Sequence, residues 1–415
     1  MRVLHIALTD GGGAGMGMMN QHRALRAMGI DSRVLVASKR GDDPMVTAMG
    51  RNMNVWGEGR CAQLAQRAAC RLGVCLNPFD RYHHLIYNVR RRHPAEFDNP
   101  CSQYDVTRHP LTEWADIINL HYISGFVDVP SFFGSINKPM VWTMRDENAG
   151  LGGFHYTEAK HEQYGFYAGL EDRFIDIKRR AIGSCHRLHI VSLSRGMKRF
   201  CEGVDFLANR PNTIIPNAIC PDHYTPIDRT CARRALGIDG DDIIVSFVCC
   251  ALGEERKGLA PAAEAIRLIN NGRAYGRRVR LLCVGTDNVG IDNADIIKLG
   301  AVSDKAIMSA AYSASDIFLN ASSQESFGKT IVEALYCGTP VVSTPVGVAP
   351  EIVNTLNGCL CAERTPRAIA NAITAALDTT YSRDGIRRGA VARFAPERVA
   401  EMYAQLYSHI YETNA

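Results

Sequence analysis

The most informative part of this chain is the stretch Glu325-Ser-Phe-Gly-Lys-Thr-Ile-Val-Glu333, followed directly by Ala-Leu-Tyr-Cys-Gly-Thr-Pro-Val-Val-Ser343. It places two carboxylates, Glu325 and Glu333, eight residues apart. The first comes where a loop enters a helix, and the second lies about two turns along the same helix face. A Gly-Thr-Pro turn then leads into a β-branched strand. The stretch therefore predicts a loop, a helix and a buried strand of an α/β fold.

The same geometry suits a nucleotide sugar. The backbone N–H groups of Ser326, Phe327 and Gly328 stand at the start of the helix, where they would face a diphosphate. Carboxylates are good hydrogen-bond acceptors but poor phosphate ligands, so Glu325 and Glu333 are left to bind hydroxyl groups. The alternative is an ordinary loop, helix and strand with two surface glutamates.

The stretch resembles the E-x7-E motif of the retaining glycosyltransferases of family GT4. These enzymes have the GT-B fold, an α/β fold in which two Rossmann-like, doubly wound domains face each other across a cleft. The resemblance implies that Glu333 accepts hydrogen bonds from the ribose of the donor and that Glu325 contacts hydroxyls of the transferred sugar. The family usually has glycine at the position of Ser326, so this chain adds a side chain there.

The length of the chain indicates two domains. A chain of 415 residues is too long for one ordinary core. Residues 209–226 carry four prolines and form the predicted linker. We expect an N-terminal, acceptor-binding domain at 1–216 and a C-terminal, nucleotide-sugar-binding domain at 217–395. The resemblance implies that a last helix, within 396–415, crosses back and completes the N-terminal domain.

Short apolar runs predict the strands of two sheets, and apolar residues at helical intervals predict the helices between them. The predicted strands of the first half are Val3–Leu8, Ser32–Ala37, Ile117–Leu120, Met140–Thr143, Leu188–Ser192 and Thr213–Ile215. Those of the second half are Ile243–Cys249, Arg280–Val284, Ile317–Leu319 and Pro340–Ser343. The clearest predicted helices are Met16–Met28, Gly258–Asn271, Asp304–Ser313, Phe327–Cys337 and Pro366–Leu377.

A glycine-rich segment, Thr9–Gly17, follows the first predicted strand. We interpret it as a loop in which Gly12, Gly13 and Gly15 let the backbone approach the donor closely. A dinucleotide would also need an acidic residue after the second strand. Ala37-Ser-Lys-Arg40 stands there instead, so NAD is disfavoured.

The second half also carries a predicted phosphate site. Glu255-Arg-Lys-Gly258 is similar to the "KG" phosphate-binding loop of the family, and Thr213–Ile219 resembles its inter-domain "IPNGI" segment. Departure of a nucleoside diphosphate develops negative charge, which Arg256 and Lys257 at a helix N-terminus would stabilise without a metal. Many family members carry the arginine some residues earlier. A lysine beside a helix start can also be merely solvated.

The acceptor side is predicted in the first half. Ala115–Gly125, Lys138–Asp146 and Gly152–Tyr156 resemble a subgroup that assembles bacterial exopolysaccharides and capsules. In that subgroup the second segment generally reads WTLHD and the third GGCHY. The resemblance implies that His121 and His155 lie on the acceptor side. Both could equally be buried core histidines.

Arg145 departs from this pattern, because it occupies the position of a histidine that lies near the reacting sugar in the subgroup. Arginine cannot act as a base at neutral pH, but it can bind a phosphate or a carboxylated sugar. Asp146 would orient the acceptor hydroxyl, or else it is a structural cap. No protein nucleophile is implied, since the leaving phosphate is proposed to take the proton of the acceptor in a front-face displacement.

The composition excludes several other classes of protein. With 46% hydrophobic and 22% charged residues the chain is globular, and no apolar run reaches the roughly 18 residues that span a bilayer. A net charge of +4 does not indicate nucleic-acid binding. The chain enters its first strand with no signal peptide, so we expect a cytoplasmic protein. Its 14 cysteines lack C-x-x-C spacing, which favours buried thiols over a metal site.

One basic surface stands out. Arg60, Arg67 and Arg71 recur at helical spacing beside apolar residues, and Arg90-Arg-Arg92 follows. Such a face can lie on an anionic membrane, which would make the protein peripheral at the inner face of the membrane. It can also be an ordinary solvated helix face.

Together these features predict a retaining, metal-independent hexosyltransferase without a cofactor. It would move a sugar from a nucleotide-diphosphate donor to a hydroxyl of a glycan or lipid-linked glycan, in bacterial surface polysaccharide synthesis. A UDP-sugar is the favoured donor and a GDP-sugar the other option. The alternatives are another GT-B activity, such as a nucleotide-sugar epimerase or a glycan phosphorylase, and a non-catalytic subunit that binds nucleotide sugars.

Overall fold

A computed structural model describes residues 1–49, 78–272, 275–286 and 295–414. The predicted basic face at Arg60, Arg67 and Arg71 lies outside the described residues. The chain divides into two compact units. The first unit comprises Met1–Ile215 and Ala400–Ala415, and the second comprises Pro216–Val399.

The first unit contains a parallel sheet of seven strands in the order β3-β2-β1-β4-β5-β6-β7. Its central strands are largely buried, as expected where helices cover both faces of a parallel sheet. The strands are β1 (Arg2–Thr9), β2 (Asp31–Ser38), β3 (Val46–Ala48), β4 (Ile117–Leu120), β5 (Met140–Met144), β6 (Leu188–Ser192) and β7 (Asn212–Ile214).

The helices of the first unit follow the strands in alternation, and several begin at a side-chain cap. Asp128 and Ser194 accept hydrogen bonds from the first turns of α4 and α6. The helices are α1 (Gly12–Ala27), α2 (Pro78–Arg90), α3 (Pro110–Trp114), α4 (Val129–Ser135), α5 (Thr157–Gly183), α6 (Arg195–Glu202) and α7 (Asp205–Ala208). The core contains Leu120, Phe132 and Trp142.

The glycine-rich segment differs from its prediction as a loop. Helix α1 begins at Gly12, so Gly13 and Gly15 lie in its first turns. A Cβ at Gly15 would lie 2.5 Å from the carbonyl oxygen of Thr9, so glycine is required there for the helix to pack against the end of β1. Nothing described lies within 4 Å of a Cβ at Gly12 or Gly13, which leaves space beside the backbone.

The second unit contains a parallel sheet of six strands in the order β10-β9-β8-β11-β12-β13. Two parallel α/β sheets were predicted, and this prediction is confirmed. The strands are β8 (Ile243–Ala251), β9 (Val279–Thr286), β10 (Ile296–Gly300), β11 (Ile317–Asn320), β12 (Val341–Ser343) and β13 (Gly358–Leu360).

The helices of the second unit again alternate with the strands. They are α8 (Arg229–Ala235), α9 (Leu259–Gly272), α10 (Lys305–Ala314), α11 (Lys329–Tyr336), α12 (Ala349–Ile352), α13 (Pro366–Leu377) and α14 (Arg383–Phe394). The last helix, α15 (Pro396–Asn414), begins in this unit, and its residues from Ala400 onward belong to the first. No helix formed by the described residues is long and apolar enough to span a membrane.

Each sheet has one position where the order of the strands reverses, between β1 and β4 in the first and between β8 and β11 in the second. In open α/β sheets, ligands bind beyond the carboxyl ends of the strands at this reversal. The segments that follow β8 and β11 contain Lys257 and Glu325, and this places the motif of the sequence at the expected position.

Candidate functional site

The loops after β8 and β11 are joined closely in the second unit. The backbone N–H of Ser323 donates to the carbonyl oxygen of Arg256 over 2.9 Å. Gly258 has φ +80°, and a Cβ there would lie 2.2 Å from the carbonyl oxygen of Ala321. Only glycine fits both this left-handed backbone and this contact. Gly258 therefore allows the two loops to meet, just before α9 begins.

Lys257 and Glu325 form an ion pair across the two loops. The ammonium group of Lys257 lies 2.6 Å from Oε1 of Glu325, and the Ser322 hydroxyl donates to the same oxygen over 2.9 Å. Burial would raise the pKa of Glu325, but the charges of Lys257 and Arg256 outweigh it and hold the pKa below its ordinary value. Glu325 is thus an ionised carboxylate at neutral pH.

Arg256 is part of the loop structure. Its Nη1 donates to the carbonyl oxygen of Gln324 over 2.7 Å, and its Nη2 pairs with the carboxylate of Glu254. Nη1 also lies 3.8 Å from Oε1 of Glu325. The structure brings the predicted residues Arg256, Lys257 and Glu325 together. It gives the guanidinium group of Arg256 a role in fixing the loop beside Lys257.

Arg364 holds the same loops from a third segment, a role that was not predicted from the sequence. Its Nε donates to the carbonyl oxygen of Ala321 over 3.0 Å, and its Nη2 donates to that of Glu255 over 2.7 Å. The arginine precedes Thr365, the N-cap of α13. No local motif marks it, because its partners are distant in the sequence.

The motif helix α11 begins at Lys329, two residues later than predicted, with Gly328 at its N-cap in a left-handed conformation of φ 87°. Ser326 and Phe327 are buried. Among the described residues, no group accepts a hydrogen bond from the backbone N–H of Phe327 or Gly328. These two amides lie at the start of α11, at the positive end of the helix dipole.

Glu333 lies on the second turn of α11 and is buried against tyrosines. The hydroxyl of Tyr312 donates to Oε2 of Glu333 over 2.9 Å. Tyr224 also interacts with this carboxylate, and its own hydroxyl accepts a hydrogen bond of 2.8 Å from Lys305. Burial and the charge of Glu333 raise the pKa of both phenols, so both remain protonated donors. Neither tyrosine was predicted from the sequence.

In the first unit, His155 lies between two carboxylates. Its Nδ1 is 2.7 Å from Asp146 and its Nε2 is 3.0 Å from Asp98. Both ring nitrogens must carry hydrogens to make these two bonds. Burial would lower the pKa of His155, but the charge of Asp146 and the bonds to Asp146 and Asp98 raise it to about 10. Asp146 also accepts a bond of 3.0 Å from the backbone N–H of Asn148, two residues along the chain.

Arg145 ends a chain of buried hydrogen bonds. Its Nε and Nη2 lie 3.2 and 3.0 Å from Nδ1 of His121, whose Nε2 lies 2.9 Å from Nδ1 of His5. Because arginine only donates, Nδ1 of His121 must accept, and His121 then donates to His5. Burial lowers the pKa of both histidines well below the ordinary value, so both are neutral.

The loop that carries His155 is held by α5. The Glu171 carboxylate is buried and accepts bonds of 2.9 and 2.7 Å from the backbone N–H groups of Gly152 and Gly153. The buried ammonium group of Lys178 donates to the carbonyl oxygens of Asn148 and Leu151 over 2.5 and 2.8 Å. Burial lowers the pKa of Lys178 to about 8. The roles of Glu171 and Lys178 were not predicted from the sequence.

The cysteines that the structure describes are free thiols, and most of them are buried or half-buried. Burial raises the pKa of Cys249 to about 12, so this thiol near the end of β8 is protonated. Among the described residues, no three side chains of His, Cys, Asp or Glu form a group placed to hold a metal ion.

Comparison with known proteins identifies the second unit. Residues 244–379 match the family model described as "Glycosyl transferases group 1". The second unit is a glycosyl transferases group 1 domain. The match spans β8 to the end of α13 and so contains Lys257, Glu325 and Glu333, the charged residues at the reversal of the second sheet.

The D-inositol 3-phosphate glycosyltransferase of Geodermatophilus obscurus is 28% identical over 217 residues, which are 48% of this chain and 47% of the relative. The chain spans about half the length of the curated relatives it matches. Among solved structures, the sucrose-phosphate synthase of Thermosynechococcus elongatus superposes with a TM-score of 0.64 at 15% identity, covering 100% of both chains. Anabaena HepE in complex with UDP-glucose superposes with a TM-score of 0.63 at 16% identity, covering 99% of this chain and 100% of that one. These likenesses establish that the glycosyl transferases group 1 domain and the first unit have the GT-B type of fold, as predicted.

Proposed function

We propose that this protein transfers a sugar from a nucleotide-diphosphate sugar to a hydroxyl of a glycan or lipid-linked glycan. The observation that carries this proposal is the half-buried ion pair of Lys257 and Glu325 at the strand reversal of the second unit. A cation and an anion held 2.6 Å apart offer a phosphate ligand and a hydroxyl acceptor side by side. A nucleotide sugar presents both groups, joined at the bond that breaks.

The positive charge of Lys257 stabilises the departure of the leaving group. Negative charge grows on the phosphate oxygens as the bond to the sugar breaks, and a preorganised ammonium group stabilises it most at the transition state. The amides of Phe327 and Gly328 add two donors at the start of α11. This set of donors is why we propose a reaction that needs no metal ion and in which the phosphate accepts the proton of the acceptor.

Glu325 and Glu333 bind the hydroxyls of the donor in this proposal. Glu325 contacts the transferred sugar and stays ionised because of its two basic neighbours. Glu333 binds the ribose, and the hydroxyl of Tyr312 on Oε2 fixes the orientation of the carboxylate. Ser326, which stands where the family usually has glycine, is buried beside them and narrows the site.

The first unit supplies the acceptor side in this proposal. Arg145 offers a fixed positive charge to a phosphate or carboxylate of the acceptor. Asp146 orients the attacking hydroxyl, with His155 as its charged partner, and His121 holds Arg145. The space beside Gly12 and Gly13 admits part of the bound substrates. The relatives named D-inositol 3-phosphate glycosyltransferases support an acceptor that carries an anionic group.

For the donor we favour a UDP-sugar, with a GDP-sugar as the other option. The solved complexes of Anabaena HepE contain UDP, UDP with glucose, and UDP-glucose. We also propose retention of the anomeric configuration, a role in bacterial surface polysaccharide synthesis, and a cytoplasmic location with peripheral contact to the membrane. One solved neighbour, WaaG, is named as a glycosyltransferase of lipopolysaccharide biosynthesis.

The test begins with the donor. A panel of UDP-, GDP- and ADP-sugars is screened by thermal shift, since a ligand that binds only the folded state raises the melting temperature. The best donor is then incubated with glycan acceptors, with and without EDTA, and the product is analysed by NMR. We expect transfer with retained configuration, unaffected by EDTA. Donor binding without hydrolysis or transfer would instead indicate a binding subunit, and conversion of the donor sugar to its epimer would indicate an epimerase.

A further inference from the structure

The second unit contains a cavity at the edge of its sheet opposite to the donor site. It lies at the amino ends of the strands, where Ile243 begins β8, Asp316 precedes β11 and Pro340 precedes β12. Its volume is about 300 Å³. The nine residues of β8 separate this edge from the loop that carries Lys257, a distance of roughly 25 Å at about 3.3 Å per residue. The cavity is therefore separate from the donor site.

Three arginines and one carboxylate line the cavity, namely Arg229, Arg277, Arg383 and Asp316. The carboxylate of Asp316 already has partners. It pairs with Arg229 over 2.7 Å and with Arg233 over 2.8 Å, and it accepts a bond of 2.8 Å from the backbone N–H of Ile244. Because the single carboxylate of Asp316 pairs with both Arg229 and Arg233, this group of three side chains has a net charge of one positive unit. Arg277 and Arg383 add two more.

Arg277 and Arg383 are held without a carboxylate partner among the described residues. Nη1 of Arg277 donates to the carbonyl oxygen of Asp241 over 3.1 Å. The Nη1 and Nη2 groups of Arg383 donate to the carbonyl oxygens of Ser313 and Ser315 over 3.2 and 2.5 Å. Carbonyl oxygens fix the direction of a guanidinium group but do not neutralise it. Burial and the charge of Arg229 lower the pKa of Arg383, as expected where like charges are close.

The rest of the wall suits an organic ligand. Tyr275 and Tyr381 contribute rings, and Ala376 and Leu377 contribute apolar surface. Tyr275 is oriented by its hydroxyl, which lies 3.3 Å from the carbonyl oxygen of Thr374 and 3.2 Å from the carboxylate of Asp378, the two acceptors within reach of its one hydrogen. Small-molecule pockets of about 300 Å³ and above are lined in this way, with an apolar wall and a few fixed polar groups.

We propose that this cavity binds a small phosphorylated metabolite, with the phosphate group held by Arg229, Arg277 and Arg383. Arginine binds phosphate through two parallel N–H donors, and a cluster of arginines with too few carboxylates favours a doubly charged anion. The carbon skeleton of the ligand lies against Tyr275 and Tyr381. The site is independent of the proposed transfer reaction, because it uses none of the residues at the reversal of the sheet.

The experiment measures binding by calorimetry, with inorganic phosphate and glucose 6-phosphate as the two probes. Arg229→Gln combined with Arg277→Gln removes two exposed arginines of the cavity, and Arg233 still pairs with Asp316. The matched control is Arg278→Gln, the neighbouring exposed arginine, which pairs with Asp295 and does not line the cavity. Lys257→Ala reports any phosphate that binds at the donor site.

We expect glucose 6-phosphate to bind, and its affinity to fall roughly tenfold or more in the double variant, as for the loss of charge-assisted hydrogen bonds. Arg278→Gln and Lys257→Ala should bind within twofold of the parent. If inorganic phosphate and the sugar phosphate bind equally well, the arginines bind the phosphate as proposed, but Tyr275 and Tyr381 do not contribute to the affinity. Binding that is lost in Lys257→Ala, or binding that the double variant keeps, would overturn the proposal. Absence of binding to both probes at millimolar concentration would do the same.

Discussion

The two units hold their charged residues in different ways. In the second unit, Lys257 and Glu325 pair at the ends of two loops, and their side chains keep 19% and 13% of their surface exposed. In the first unit, His155 has a carboxylate on each ring nitrogen, and His121 accepts from Arg145 while it bonds to His5. An ammonium group with three donors can keep one partner and gain a phosphate. A histidine with both nitrogens engaged cannot gain a partner without losing one. In the proposed reaction the second unit therefore performs the chemistry, and the first unit supplies fixed charge and shape.

Substitution of Lys257 should have the largest effect on turnover, if the second unit stabilises the charge that develops in the transition state. We expect Lys257→Ala to lower kcat by on the order of 10²-fold or more, about 2.7 kcal/mol, with a smaller rise in KM. The reason is that charge on the leaving phosphate grows only as the bond breaks. The measurement is steady-state kinetics with the donor found by the panel. Lys198→Ala, a substitution of an exposed lysine in the first unit, is the control and should leave both constants unchanged. A change confined to KM would reduce Lys257 to a ground-state ligand.

Substitution of Glu333 should affect binding of the donor more than turnover, unlike substitution of Lys257. We expect Glu333→Ala to weaken donor affinity by about 1.5–3 kcal/mol, the range for losing hydrogen bonds to a charged acceptor. Calorimetry with the donor measures this. Tyr312→Phe removes the hydroxyl that orients the carboxylate and should have a smaller effect in the same direction. Glu264→Ala, on the exposed face of α9, is the matched control. Unchanged affinity in Glu333→Ala would refute its assignment to the ribose.

Substitutions of Arg145 test whether the first unit binds the acceptor. We expect Arg145→Ala to lower transfer by roughly tenfold or more while nucleotide affinity stays within a few fold, because the charge would act on the acceptor. Arg145→Lys should not restore transfer, since a point charge replaces a bidentate fork, and Arg145→His should restore only part. Arg108→Ala, a surface arginine of the same unit, should behave as the parent. Transfer at the parental rate by Arg145→Ala would leave this residue a structural role within the chain of His121 and His5.

The sequence predicted the central strands well and the edge strands poorly. The bounds predicted for β4 and β6 are those of the structure. The strands β3, β10 and β13 were missed, and all three lie at an edge of a sheet. An edge strand is paired on one side only and is less buried, so it lacks the continuous apolar run that marks a central strand. Its existence depends on the neighbouring strand rather than on its own residues.

In the candidate site, residues that lie in a short local motif were predicted, and residues whose partners are distant in the sequence were not. Lys257 and Glu325 were predicted because each lies in a short motif beside a strand end, and parallel strands bring such ends together. Asp98 lies 57 residues from His155, and Arg364 lies 43 residues from Ala321. No spacing rule joins such residues, since only the packed fold makes them neighbours. Gly15 was interpreted as a ligand-binding position, and the structure shows a packing requirement that a glycine pattern alone does not reveal.

A different kind of effect concerns protonation, and it tests whether His155 is held between its two carboxylates. The pKa of His155 is about 10 in the folded state against about 6.5 in an unfolded chain, so the folded state binds the proton more tightly. The resulting stabilisation is complete below about pH 6.5 and is lost as the pH rises through about 10. The free energy of unfolding should therefore fall as the pH rises from about 6.5 to about 10, by at most about 1.4 kcal/mol per pH unit from this group.

His155→Gln should remove that slope, whereas His186→Gln, a substitution of an exposed histidine of the same unit, should keep it. NMR of labelled histidine rings gives a direct measurement, in which the ring of His155 stays protonated at pH 8. A ring that titrates near pH 6.5 would mean that His155 is not held between the two carboxylates, and the difference between the two units would then disappear at this position.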